Sequence, residues 1–591
     1  MRSILLFFLL LLLPGLITAT DYYVAKNGDD NNPGTETSPF FTIGKAAALM
    51  VAGDVCYVRA GTYREVLDPA NPGTAAAPIS FRAFEGEEVT IAATELLTDW
   101  RDAGNGRWSA SVRMSQGSGN ALYFNGKPLD WARWPNNTDG DPYTIDAMTV
   151  TGGTADRIDA TDLPTGVDLT GGYVWYLGAH SGASWTQEIT GVAGKRIDHV
   201  ANDIERWPFN PHNPTVFRNG NRGRFFVFGA AGLLDHPGEW HYDAATSTVT
   251  FLPPGGMDPN AATIEYAVRD RTILVNQPYV VVEGIKTFGG MVNLKGDHCT
   301  IRGGEIRYGY QSLDELGNSD AQIGEGAVWV QASDILLEGN LIEGGSHNGI
   351  SVQGWGGVSD VTVTGNEIRE FNTVGNHSSP IRCRAPRSVI TFNTIVGGGR
   401  DGIFIPAQDC EVSWNDVSDC MRINNDGGLF YVVGNDDDKN TVIHHNWFHD
   451  SQGPDYADGR CAGIYLDNDS KGYDVHHNVV WNISWTAVQM NWAAWNNDIF
   501  NNTFWDTGGA MGIWLNGRVQ RNNRIWNNFA DRGNWEGQDV ADNLISSANP
   551  FADAGNLDFR PRSTSDLVDA GREIAGITDD FTGSAPDIGA Y

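Results

Sequence analysis

The sequence predicts an all-β protein: a right-handed parallel β-helix, or solenoid, carrying an inserted antiparallel β domain. Three observations predict it. First, an asparagine recurs at one place in a loose unit: "LEGNLIEGG" (Asn340), "VTGNEIREF" (Asn366), "ITFNTIVGGG" (Asn393), "VSWNDVSDC" (Asn415), "IHHNWFHDS" (Asn446), "VHHNVVWNI" (Asn478), "IFNNTFWDT" (Asn502) and "RIWNNFADR" (Asn528), at spacings of 26, 27, 22, 31, 32, 24 and 26 residues. A period of roughly 20–30 residues with short strands marks a solenoid, and uneven spacing fits because an insertion leaves one coil as a loop without breaking the stack. Second, each unit has an apolar pair, the asparagine, a short strand, a glycine and a further strand. Asparagine tolerates a left-handed turn and can hydrogen-bond its copies in the coils above and below. Third, the repeat vanishes between residues 96 and 265, where "ALYFNGKPLDWARWPN" and "LLDHPGEWHYDAATSTVTFLPP" read as antiparallel hairpins.

The elements follow in chain order. Residues 1–20, "MRSILLFFLLLLLPGLITAT", have one arginine, a Leu/Phe run, a Pro-Gly break and small residues near Ala19 and Thr20, which reads as a secretory signal peptide. The run is short for a membrane anchor, and no later stretch is apolar enough to span a bilayer. Export to a secreted or periplasmic location, with surface attachment open, is the expectation. Residues 21–95 form an N-terminal cap and the first coils, with a helix over Thr42–Ala48 closing the core. Residues 96–265 are the inserted β domain, 266–565 the main helix with the active site, and 566–591 a tail packing back along it.

Net charge is −33, from 40 basic and 73 acidic residues, which argues against nucleic acid and anionic membranes as partners. Only 19% of residues are charged while glycine reaches 71, a turn-rich rather than a disordered composition. The 20 Trp and 18 Tyr supply rings for the core or for stacking on sugars. A monomer is the expected state, with a dimer open. The six cysteines, Cys56, Cys299, Cys383, Cys410, Cys420 and Cys461, show no CxxC; Cys410–Cys420 is the nearest pair for a disulfide, and buried free thiols are the alternative.

The closing strands of the units align by their apolar positions: "GISVQ" (349–353), "GIFIP" (402–406), "GLFYV" (428–432), "GIYLD" (463–467), "AVQMN" (487–491) and "GIWLN" (512–516). This alignment turns Leu429 and Tyr431 inward with Ile464 and Leu466, and turns Phe430 and Val432 outward. Coils lie about 4.8 Å apart. Asp467, Asn491 and Asn516 then stack on one outer face beside Tyr465 and Trp514. Such a polar, aromatic floor suits a sugar ring, which offers hydroxyls at its edge and C–H groups on its face.

Asp426, before Gly427 and Gly428, and Asp467, ending the next coil's strand, are the first pair for glycosidic cleavage. That chemistry needs one carboxyl to protonate the leaving oxygen and one to act as nucleophile or base. On a straight strand they would lie about 20 Å apart, so the Gly-Gly pair must bend the chain. Asp450, four residues after Asn446, is a third candidate. Asp401, one coil earlier, could stack on Asp426 and raise its pKa by like charge. His347 and His377 are groove candidates, whereas His444, His445, His476 and His477 read as turn structure. No spacing supports a zinc site, and no cofactor is expected; structural calcium at "NDDDKN" (435–440) competes with a solvated acidic loop.

The pieces "NNDGGLFYVVG", "HHNWFHD" and "GIYLDND", the inserted "LLDHPGEWHYD…FLPP" and the terminal "DIGAY" resemble secreted bacterial parallel β-helix carbohydrate enzymes, most of all glycoside hydrolase family 141 and more distantly the family 120 β-xylosidases. The resemblance implies hydrolysis of α-L-fucosides or xylan with two aspartates at the pocket centre, roles that fall on Asp426 and Asp467. Where such enzymes show "DGGAIY" this chain has "DGGLFY". Two other readings stay open. A polysaccharide lyase or uronate epimerase would use Arg382, Arg384, Arg400, Arg460, Lys471 or Tyr465, and a non-catalytic glycan-binding solenoid would use the floor alone.

Overall fold

A computed structural model describes residues 19–201, 217–218, 220–312, 325–434 and 437–591. Apart from Ala19 and Thr20, the signal segment lies outside these residues. The chain is a right-handed parallel β-helix. One parallel sheet of 14 strands runs its length, and a second system of 21 parallel strands forms its other faces. One continuous core fills the coils, from Val24 to Ala530, made of stacked Val, Ile, Leu and Phe. Strands buried on the inside in every coil require this uniform apolar stacking.

The asparagine ladder is real. Asn446 shows why it is stable although its side chain is buried: Nδ2 donates to Val412 O (2.9 Å) and Asn478 Oδ1 (3.0 Å), while Oδ1 accepts from the N (2.9 Å) and Nδ2 (3.0 Å) of Asn415. Both donors and both acceptor positions of the amide are used. The ladder extends beyond the eight expected rungs to Asn543, whose Oδ1 accepts from Asn528 N at 2.8 Å.

The turn residue, however, is not the asparagine. The left-handed conformation falls on the residue before it: Phe392, Trp414, His445, His477, Asn501 and Asn527 have φ between 49° and 57°. The asparagine must point inward to bridge coils, so its neighbour points out and takes the strained φ, a cost of about 1–2 kcal/mol each. Stacking offsets part of it, with ring centroids at 6.0 Å for Phe392–Trp414, 4.4 Å for Trp414–His445 and 4.9 Å for His445–His477.

The cap helix is Ile43–Leu49; the Thr42 hydroxyl accepts from Lys45 N (3.2 Å), and Ile43, Ala46 and Ala47 face the core. Between Thr94–Leu96 and Ile264–Ala267 the strands form sheets with mostly antiparallel pairing. They enclose two cores of their own, around Trp185 and Tyr176 and around Trp240 and Phe251. In the tail, Leu567, Ile588 and Ala590 bury against Phe551 and Phe559, and Gly589 N donates to Asn527 O (2.9 Å). All six cysteines are buried and free, so the Cys410–Cys420 disulfide does not form. Among the described residues no helix is long and apolar enough to cross a membrane.

Candidate active site

The strands Gly427–Val433 and Cys461–Asp467 belong to successive coils and pair in parallel. Their register differs by one residue from the sequence alignment: Val433, not Val432, lies opposite Asp467, and Tyr431 lies opposite Tyr465. A one-residue slip exchanges the two faces. Phe430 and Val432 therefore fill the core, where Leu429 also stays as expected, and Tyr431 stands on the outer face, edge-on to Tyr465 at 5.4 Å. The next pair keeps the aligned register, with Tyr465 opposite Gln489, but the pair after it is displaced by two residues, so Asn491 faces Trp514 rather than Asn516. Gly512 takes the place above Gln489, where an added Cβ would meet Gln489 Oε1 at 2.1 Å.

Asp426 and Asp467 do come together. Asp426 takes a left-handed conformation (φ 67°), which turns the chain before the strand and brings its carboxylate over the face. Tyr465 Oη donates to Asp426 Oδ1 (3.2 Å) and accepts from Asn491 Nδ2 (2.7 Å), which also donates to Asp467 Oδ1 (2.8 Å). This relay of three hydrogen bonds keeps the two carboxyls no farther apart than the ~9.5 Å upper limit over which paired carboxylates cleave glycosides. Gln489 Nε2 holds the Asn491 amide through its oxygen (2.7 Å). Asp467 Oδ1 also accepts from Asn468 N (2.9 Å), whereas among the described residues Oδ2 accepts from Tyr431 Oη (3.1 Å) alone, making Oδ2 the oxygen left for a proton.

The environments push the two acids apart. Burial raises Asp467 to about 6, helped by the charge of Asp426 and opposed by its hydrogen bonds. Burial also acts to raise Asp426, but His180, Arg460 and Arg400 outweigh it and hold Asp426 below the ordinary carboxylate range. His180 Nε2 lies 3.1 Å from Asp426 Oδ2 and Arg460 Nη1 3.9 Å from Oδ1. Two carboxyls driven in opposite directions are the arrangement of an acid and a base.

His180 comes from the inserted part, in the turn between Tyr173–Leu177 and Ser184–Ala193. That turn is bolted to the helix. Asn425 N donates to Ser181 O (2.7 Å), Arg400 Nε to Gly182 O (2.9 Å), and Ser184 N to Gly375 O (2.8 Å). Arg400 also pairs with Asp401, stacks 4.6 Å from the Tyr431 ring, and reaches Asp426 O at 3.4 Å. Asp401 is fully buried, and burial raises it to about 6 against the pull of Arg400. It does not raise Asp426 as expected; its charge is answered by Arg400, which it positions. Gly427 is required here because a Cβ would meet Asp401 Oδ1 at 2.6 Å.

The remaining expectations divide. Asp450 is not in the pair: it sits at a left-handed bend (φ 50°), accepts from Asn482 Nδ2 (2.5 Å) and pairs with His449 (2.7 Å), in the same turn column as Asp419 and Asp506. Asn516 lies past the strand in an exposed turn, outside the floor. Trp514 stays above Asn491, 52% exposed, and offers a ring at the rim. His347 is fully buried three coils before the pair, with Nδ1 at 2.9 Å from Ser346 Oγ, so it belongs to the wall rather than the groove. The His377 carbonyl accepts from Arg382 Nη1 (2.6 Å), and Arg382 stacks 4.4 Å from the Phe404 ring. Phe404, Tyr431 and Tyr465 then form one aromatic cluster leading to the acids. Of the acidic loop 435–440, residues 435 and 436 lie outside the described residues, and Asp438 accepts from Asn496 Nδ2 (3.0 Å). A separate cleft of about 920 Å³ within the inserted part is lined by Trp131, Asp168, Tyr173 and His241, and none of Asp401, Asp426 and Asp467 lines it.

Sequence reasoning missed His180 and Tyr431. "YLGAHSGASW" has no repeat against which His180 would stand out, and Tyr431 was turned inward by the register slip.

A family model for a right-handed beta helix region matches residues 292–480, and one for a protein of unknown function, DUF1565, matches residues 26–72. The uncharacterized protein YwoF of Bacillus subtilis (strain 168) is 46% identical over 72 residues, 12% of this chain and 15% of that protein. Pectate lyase PEL9 of Emericella nidulans is 39% identical over 82 residues, 14% of this chain and 20% of that protein. The chain thus matches a fifth or less of the length of these curated relatives. A solved structure described as a glycoside hydrolase shares the fold, with a TM-score of 0.59 and 15% identity over 85% of this chain and 96% of that one.

Proposed function

We propose that this protein is an exported carbohydrate-active enzyme, a glycoside hydrolase acting on a plant or algal polysaccharide or its oligosaccharides, with Asp467 as general acid and Asp426 as nucleophile or base. The opposite displacement of the two carboxyls, linked through Tyr465 and Asn491, is the observation that carries this reading. Between about pH 4 and 6 Asp467 holds a proton while Asp426 is ionised, so Asp467 protonates the leaving oxygen as Asp426 approaches the anomeric carbon or its water. Tyr465 and Asn491 fix the pair, and Trp514, half exposed at the rim, supplies a ring face for sugar C–H groups. The resemblance to family 141 points to α-L-fucoside or xylan-like linkages.

One observation favours a second reading. Arg382 and Arg384 lie 4.4 and 5.5 Å from the Phe404 ring, a cationic pair suited to a uronate, and a curated relative over part of the chain is a pectate lyase. A lyase would release an unsaturated product. Wild type and Asp467→Asn are to be assayed on fucosides, xylans, sulfated algal polysaccharides and uronates, following reducing ends and ultraviolet absorbance of unsaturated sugars. Reducing ends without new absorbance, lost in Asp467→Asn, is the expected result. Rising absorbance with an active variant transfers the reaction to elimination.

A further inference from the structure

Two successive coils carry the same dipeptide before the ladder asparagine, His444-His445 and His476-His477. His444 and His476 end the strands Thr441–His444 and Tyr473–His476 and lie in register. His445 and His477 follow in the left-handed turn, with φ 55° and 53°. The four imidazoles make a two-by-two array. His444 stacks on His476 at 5.0 Å and 10°, His445 on His477 at 4.9 Å and 8°, and within each coil the rings meet edge-on.

Stacking alone would explain one column of rings, as Phe392 and Trp414 show. It does not explain where the nitrogens point. Nδ1 of His444 lies 2.8 Å from Nδ1 of His445, and Nδ1 of His476 lies 2.9 Å from Nδ1 of His477. Each pair aims its nitrogens at one another, with room for a single proton between them. These separations are a few tenths of an ångström short of the ~3.3 Å edge between two nitrogens each about 2.0–2.1 Å from one tetrahedral ion. One ligand nitrogen from each of His445, His476 and His477 falls within 4.8 Å of the others. The second ring nitrogen of His444, Nε2, lies 3.3 Å from Glu411 Oε1. A carboxylate on the far nitrogen is the support that orients metal-ligating imidazoles. The rings are only part-exposed.

We propose that His445, His476 and His477, with His444 packed beside them and held by Glu411, bind a late first-row divalent ion, zinc foremost, on the outer corner of the β-helix. An all-imidazole set suits zinc, copper(II) and nickel(II) and disfavours calcium and magnesium. The ion cross-links two consecutive coils at the ladder corner. The site is distinct from the aspartate pair, which stands on the closing strands.

The test uses the full chain purified without a histidine tag, stripped with chelator and titrated with Zn²⁺, with metal per chain counted after gel filtration and copper(II) absorption as a second readout. The informative variant is His445→Phe combined with His477→Phe. Phenylalanine continues the column of Phe392 and Trp414, so the variant keeps its fold, checked by circular dichroism and glycosidase activity. Wild type should hold one ion per chain and melt at a higher temperature with Zn²⁺. The double variant should bind at least about 100-fold more weakly and lose the shift, while His449→Gln, on another corner, should keep both. Less than one ion in ten chains of wild type, or unchanged binding by the double variant, overturns the proposal and leaves the array a stacking device.

Discussion

Two columns of this solenoid run side by side and obey opposite rules. At the ladder corner every coil from Asn340 to Asn543 presents the same residue, making the same bonds to the coil above and below. On the closing-strand face every coil presents a different one: Arg382, Phe404, Tyr431, Tyr465 and Gln489 stand in successive positions of a single column. The first column repeats because a buried amide is stable only if its neighbours are amides too. The second varies because the backbone already satisfies the strands, leaving each side chain free for its own task. Uniform positions build the rack, and irregular ones equip it.

The comparison breaks most sharply at the acids. Asp426→Asn is expected to lower kcat/KM by about 10³-fold or more while leaving the thermal midpoint nearly unchanged, read by reducing-end release and calorimetry. Asn446→Ala should do the reverse. It strands Val412 O and the neighbouring Asn415 and Asn478 amides, costing about 2–4 kcal/mol of stability in denaturant unfolding, with activity retained below the transition. Equal phenotypes for the two would erase the distinction.

His180→Gln is expected to have a smaller effect, about 10–100-fold in kcat/KM. Because His180 helps to keep Asp426 ionised, the acidic limb of the pH profile should move upward in the variant. An unmoved limb would make His180 only a spacer. The alkaline limb of wild type should fall near pH 6, where Asp467 loses its proton. The same shift has a stability cost. Asp467 binds its proton more tightly folded than unfolded, so folding stability falls as pH rises from about 4 through 6. Asp467→Asn should therefore remove a penalty on the order of 2 kcal/mol at pH 7, measured as a gain over wild type that is absent near pH 4.

What the sequence reveals follows from the same contrast. Asn340 to Asn528 announce the solenoid because they recur, and Asp426 and Asp467 are visible because they interrupt a recurrence. The finer register is not. "GLFYVV" is apolar at every position, so Phe430 and Tyr431 compete equally for the inside, and only pairing with Cys461–Asp467 decides. Asp450 misleads because a turn aspartate and a catalytic one look alike in a single unit. His180 comes from a segment with no period at all, where position carries no information.

The turn that brings His180 to Asp426 also has a meaning for the life of the chain. The acid–base difference between Asp426 and Asp467 is a property of neither coil alone; one of the groups that holds Asp426 down, His180, arrives only when the inserted part docks on the solenoid. Before that docking Asp426 has the solenoid's own Arg460 and Arg400 to hold it ionised, and its contrast with Asp467 is smaller. The docked turn thus ties the strength of the pair to the completeness of the fold: the contrast between the two acids is full only where the inserted part and the solenoid have met.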